Sequence, residues 1–256
     1  MKSSLFRVLC VVLSLLLVTS VFAACEKGDD GSGDAADAQT AETLSDDTQA
    51  TEEEPTEPAL PDSLELVKEY IIPSGDSSKW AHCHLIVKNV SGETLKVTAA
   101  GAAKDAEGNV LDDDDDEIKA IGPDQVSFID MTFTNVPADA AISYQLTAEP
   151  ATSYKDALAN LSYDYEIKEE NAGEYNRYKE VVVSVTNNGD AVAKSTEALV
   201  ICFDADGNYF CSMNILGIYD DEYELKPGAT ESGSGRKDGS FSDFETAEVY
   251  IRAHSS

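Results

Sequence analysis

The chain has 256 residues, 42% of them hydrophobic, and carries 49 Asp and Glu against 18 Lys and Arg, a formal net charge of −31. That length and apolar content suffice for one or two domains with real cores. The charge excludes a nucleic-acid binder, because phosphate recognition needs Lys and Arg, and it favours cationic partners or divalent ions instead.

The N-terminus is the most informative stretch. Lys2 and Arg7 give a short positive start, and Val8 to Ala24 is a seventeen-residue run broken only by hydroxyls and one thiol. This pattern predicts a secretory signal over residues 1–24. Phe22-Ala23-Ala24 leads directly into Cys25, and small residues before a cysteine resemble the bacterial lipobox, although Phe22 stands where Leu is more usual. The resemblance implies that the Cys25 thiol is acylated, a palmitate-type lipidation, and that Cys25 becomes the new N-terminus. The expected location is the extracellular face of the cell membrane, through the lipid anchor. Plain secretion and a retained anchor are the alternatives. The run is at the short end of the spanning range, and acid rather than a basic stop-transfer cluster follows it.

Residues 25–62 read as the lipidated cysteine and a disordered acidic tether. Glu26 to Asp62 holds thirteen acids against one lysine, with Pro55, Pro58 and Pro61 near its end. Almost nothing in it can be buried to offset the entropy of ordering. Like charges stretch such a linker and prolines stiffen it.

An internal repeat follows. Trp80 to Asn89 lies against Tyr178 to Asn187, the DAEGN of Asp105–Asn109 against the DADGN of Asp204–Asn208, and the IGP of Ile121–Pro123 against the LKP of Leu225–Pro227. Three matches in one order, with slowly drifting offsets, mark a repeat with loop insertions. Each copy reads as strands. Val181, Val183 and Val185 alternate with Val182, Ser184 and Thr186, a period of two, and Cys83, Leu85 and Val87 take the equivalent face. Turn signals at Ser91-Gly92, Glu107-Gly108, Asn188-Gly189 and Asp206-Gly207 separate the runs. The expected fold class is all-β, with two tandem Ig-like β-sandwich domains at residues 63–150 and 160–252. The link between them carries one helical turn near Tyr154–Asn160. The Gly-Ser run from Ser232 to Ser242 reads as a flexible loop.

In the second copy, Val200-Ile201-Cys202-Phe203-Asp204-Ala205-Asp206-Gly207 resembles the aromatic-Asp-x-x-Gly hairpin of FxLYD-type domains in bacterial lipoproteins. Gly101 to Asp105, the matching stretch of the first copy, lacks the bulky positions. The resemblance implies Ig-like sandwiches displayed on the cell surface and brings no catalytic residue with it.

Five cysteines are present. With Cys10 in the signal and Cys25 lipidated, Cys83, Cys202 and Cys211 remain, so at least one is unpaired or bonded to another molecule. A two-residue turn at Asp206-Gly207 places Cys202 opposite Cys211, where a disulfide can form. A three-residue loop with a bulge puts the two thiols on opposite faces.

Metal ligation has two weak candidates and no firm one. His82 and His84 lie two apart on a strand and face one way. They can supply two zinc ligands, but the rest must come from elsewhere, and exposed histidines beside Trp80 are the plainer reading. Asp112, Asp113, Asp114, Asp115 and Asp116, followed by Glu117, could hold calcium weakly as extracellular sites do. The plainer reading is a solvated loop or edge segment whose charge blocks strand aggregation. DADGN has the wrong spacing for a calcium loop and reads as a hairpin. Seven tyrosines of the second copy, Tyr163, Tyr165, Tyr175, Tyr178, Tyr209, Tyr219 and Tyr223, suggest a binding surface. No nucleophile elbow or phosphate-cradling loop is present in the sequence.

The expectation is therefore a monomeric binding or structural module without enzyme activity or cofactor. It is held to the membrane by lipid and meets a protein or cell-wall partner. A metal-dependent envelope hydrolase using His82, His84 and nearby acids, or an accessory subunit of an envelope complex, is the alternative.

Overall fold

The computed structural model describes residues 60–74, 79–171, 177–238 and 243–256. The signal, Cys25, nearly all of the tether and Tyr175 lie outside them. The fold is all-β and forms two sandwiches. The first is built from β1 (Leu64–Ile72), β2 (Trp80–Asn89), β3 (Leu95–Lys104), β4 (Val110–Ile121), β5 (Val126–Thr134) and β6 (Ala141–Pro150). Sheet β1-β2-β5 packs on sheet β4-β3-β6. A link made of β7 (Lys155–Asp156) and a single 3-10 turn (Leu158–Asn160) follows.

The second sandwich contains β8 (Leu161–Asn171), β9 (Arg177–Asn187), β10 (Ala193–Phe203), β11 (Tyr209–Ile215), β12 (Glu224–Leu225), β13 (Thr230–Asp238) and β14 (Thr246–Ser255). Sheet β8-β9-β13 faces sheet β11-β10-β14, with β7 and β12 at its margins. Setting those two short strands aside, the strand order repeats that of the first sandwich.

The repeat extends to side-chain chemistry. Asn89 and Asn187 are both buried at strand ends. Asn89 Nδ2 donates to the carbonyls of Glu93 and Ile121, and Asn187 Nδ2 to those of Ala191 and Leu225. Their Oδ1 atoms accept from Ser91 N–H and Gly189 N–H. A buried amide pays for its desolvation only when its hydrogen bonds are met, and here both amides pin a turn. In the DAEGN and DADGN hairpins, Asp105 and Asp204 accept from the backbone two and four residues on. Gly108 and Gly207 take φ of 84° and 78° in those turns.

The core alternation also holds. Cys83, Leu85 and Val87 on β2 and Val181, Val183 and Val185 on β9 are all fully buried. Removing side chains of this size from water is worth about 1.5–3 kcal/mol each.

Two segments depart from the sequence expectation. The Asp112–Asp116 run is strand, paired along its length with Ala99–Ala103 of β3. Asp is a poor strand former, but β4 lies beside β5, the free edge of the other sheet. There Asp112, Asp114 and Asp116 accept hydrogen bonds from the backbone N–H groups of Thr134, Thr132 and Asp130, at 2.6, 2.7 and 2.8 Å. Alternation sends these three carboxylates toward β5 and leaves Asp113 and Asp115 in solvent. The run thus closes an open edge with side chains.

The Gly-Ser run is likewise not a loop over Thr230–Asp238, where it is β13 and pairs with β9 throughout. A Cβ on Gly233 would stand 2.6 Å from Ile215 Cγ2, and one on Gly235 would stand 3.0 Å from Met213 Sδ. The glycines are there because the sheets approach too closely for side chains.

Candidate functional site

β2 and β10 are buried on both faces across their middles. One face of each fills its own sandwich. The other meets its counterpart, so that Ile86, Phe128, Leu199 and Ile201 form a second apolar cluster with Tyr70, Phe203, Tyr209 and Tyr250 around it. This is the seam between the sandwiches, and the described residues all fall in one compact unit.

Charge rims the seam. Arg252 on β14 pairs with Asp116 of the first sandwich and, at 2.8 Å, with Glu197 of the second. Its guanidinium carbon lies 4.7 Å from the centre of the Phe128 ring. Burial works against the Arg252 charge, but the two carboxylates outweigh it and hold the pKa above its ordinary value. Lys68 and Glu248 pair across the same seam at 2.5 Å. Ser127 Oγ donates to the Ile251 carbonyl.

At one side of the seam sits a polar cluster. His82 and His84 point from β2 into the seam, their rings stacked with centroids 5.6 Å apart. His84 and Asp130 are paired residues of β2 and β5, and so are His82 and Thr132. His84 Nδ1 lies 2.8 Å from Asp130 Oδ1. On its other side, His84 Nε2 shares a 2.9 Å hydrogen bond with Ser212 Oγ of β11. Asn214 Nδ2 donates to Asp130 Oδ2 at 2.7 Å, and His82 Nδ1 bonds Thr132 Oγ1 at 3.1 Å. Burial pushes the Asp130 carboxyl upward, but His84 and Asn214 more than reverse it and hold the group below its ordinary range. Burial, with the neighbouring His84, lowers the His82 pKa.

The sequence expectation of exposed histidines beside Trp80 is therefore corrected. Trp80 is exposed, but His84 is only 2% exposed because a second sandwich covers it. Asp130, Ser212 and Asn214, which complete the cluster, lie in segments the sequence reading did not single out. The readable signal was the loss of alternation in His84-Leu85-Ile86-Val87 and Ala198-Leu199-Val200-Ile201-Cys202, since strands covered on both faces show continuous apolar runs.

Asp130, His84 and Ser212 follow one another in the order that activates a serine nucleophile. Here the imidazole is shut from solvent, and the Tyr209 hydroxyl covers Ser212 with a 3.3 Å hydrogen bond. As found, the arrangement holds the sandwiches together.

The remaining candidates separate. Asp112, Asp114 and Asp116 already have their partners along β5. Cys202 and Cys211 face each other across β10–β11, through a register shift beside Phe203. The DADGN turn is the three-residue type, with Asp204 N–H donating to the Asn208 carbonyl, and the later shift restores the opposition. Both are buried thiols in this structure, as is Cys83. The described tyrosines do not form one patch. Tyr163 and Tyr165 donate to carbonyls of β14, Tyr178 lies under Arg236, Tyr209 is in the seam, and Tyr219 and Tyr223 pair with each other.

No family model matches this chain, and no curated protein matches it. Among solved structures, the crystal structure of red sea bream transglutaminase aligns with 75% of this chain and 30% of its own, at 10% identity and a TM-score of 0.25. A likeness that slight says nothing about activity.

Proposed function

We propose that this protein is a lipid-anchored extracellular module that acts by presenting a rigid pair of β-sandwiches to a partner at the cell surface. The seam is the observation that carries this reading. Its apolar cluster and flanking ion pairs make the two sandwiches one body, which presents a surface of fixed geometry and binds without the entropy cost of ordering two domains. The lipobox-like Phe22-Ala23-Ala24-Cys25 and the acidic stretch after it support the placement, with the tether as a leash that gives the pair reach.

The test is fractionation of cells that express the chain and its Cys25→Ala variant, together with protease shaving of intact cells. The unaltered chain should stay with the membrane and be shaved from outside, and the variant should appear in the medium. A variant that remains membrane-bound, or a chain protected from external protease, would refute the proposal.

A second reading, metal-dependent chemistry at the envelope, is favoured by one observation only, the grouping of His82, His84 and Asp130.

A further inference from the structure

We propose that His82, His84 and Asp130 form a binding site for a zinc-class divalent cation, whose occupancy is coupled to docking of the second sandwich. This holds whether or not the protein is anchored as proposed above. One ligand atom from each residue lies within 4.8 Å of the others. Zinc binds imidazole nitrogen at about 2.0–2.1 Å and carboxylate oxygen at about 2.0–2.2 Å, so donors around a bound ion stand a little over 3 Å apart. Small rotations of side chains already on one face of β2 and β5 supply that geometry.

The second observation is the state of the buried atoms. His84 Nδ1 and Asp130 Oδ1 are buried without an aligned hydrogen bond, although they are 2.8 Å apart. Metal binding selects the tautomer in which His84 Nε2–H donates to Ser212 Oγ, which leaves the Nδ1 lone pair facing the buried Asp130 Oδ1. In that tautomer the two acceptors need a cation between them. A divalent ion meets both, and a ring nitrogen of the half-buried His82 completes three protein ligands. Nitrogen and oxygen donors of this kind select zinc and its neighbours rather than calcium.

The coupling follows from where the supports sit. All three ligands belong to the first sandwich, while Ser212 and Asn214, which orient His84 and Asp130, belong to β11 of the second. Partners that fix ligand orientation typically change metal affinity by about tenfold to a hundredfold. By reciprocity, bound metal strengthens sandwich docking by the same factor that docking strengthens metal binding.

The experiment loads the full chain with zinc, removes excess by buffer exchange, and measures retained zinc and the unfolding midpoint. One zinc per chain, a raised midpoint, and loss of both effects in His82→Gln and Asp130→Asn are expected. Asn214→Ala should weaken binding by about tenfold to a hundredfold. His82→Gln also serves as the folding control, because without metal its unfolding midpoint should stay near that of the parent chain. No retained zinc in the parent chain would overturn the proposal. So would retention that survives both ligand variants, or retention that is lost only in Cys202→Ser and Cys211→Ser.

Discussion

The aspartate ladder gives the sharpest quantitative test. Asp114→Ala removes a carboxylate that accepts from Thr132 N–H at 2.7 Å and from Asp115 N–H at 2.9 Å. Hydrogen bonds to charged groups contribute about 1.5–3 kcal/mol. Against this stands repulsion from Asp112 and Asp116, each two residues away and so about 7 Å distant. In a water-like dielectric that repulsion is about 0.6 kcal/mol per neighbour, and the substitution relieves roughly twice that. The hydrogen bond wins, and the net loss should be about 0.3–1.8 kcal/mol. Asp115→Ala is the control. Its side chain points to solvent, so only repulsion is relieved and stability should be unchanged or slightly raised. Asp114→Asn keeps an acceptor and sheds the charge, and should fall between the two. Urea unfolding of the three variants measures this directly. If Asp114→Ala proves as stable as Asp115→Ala, the ladder is not holding the edge of β5.

Three further outcomes are expected. Leu199→Ala empties part of the seam cluster, where Leu199 is fully buried, and should cost about 2–5 kcal/mol in urea unfolding. Gly233→Ala sets a methyl 2.6 Å from Ile215 Cγ2 and should cost about 1–3 kcal/mol in urea unfolding through overpacking. His254 is held below its ordinary pKa by burial, with Lys119 of β4 and Lys194 of β10 adding to the effect and Glu117 of β4 opposing it. The ring of Tyr154 packs on it. A folded-state pKa below the unfolded value of about 6.5 means that the neutral form is the one the fold accommodates. Its contribution is complete above that value and is lost as pH falls below it. His254→Leu should therefore flatten the loss of stability between neutral and mildly acid pH.

Much of the fold was readable because local and tertiary demands agree. The alternation of Val181, Val183 and Val185 and the matched Asn89 and Asn187 predict strands and turns that form as expected. The reading missed where a tertiary contact overrides local preference. No strand propensity announces β4 in a run of five aspartates, because the stabilising partner is the backbone of β5, more than ten residues further on. The glycines of β13 read as flexibility until Ile215 and Met213 are seen against them. The site was half legible. The spacing of His82 and His84 flagged two ligands on one face, but Asp130 joins them only through the β2–β5 register. Ser212 and Asn214 join only through docking of the second sandwich, which no spacing along the chain encodes.

The most direct test of the rigid pair is equilibrium unfolding of the full chain in urea, followed by two probes. Trp80, the single tryptophan, reports on the first sandwich, while far-ultraviolet circular dichroism reports on both. A seam that makes one body predicts coincident transitions with one midpoint. Two separated transitions, with the tryptophan signal tracking only one of them, would show that the sandwiches unfold independently and would contradict the account.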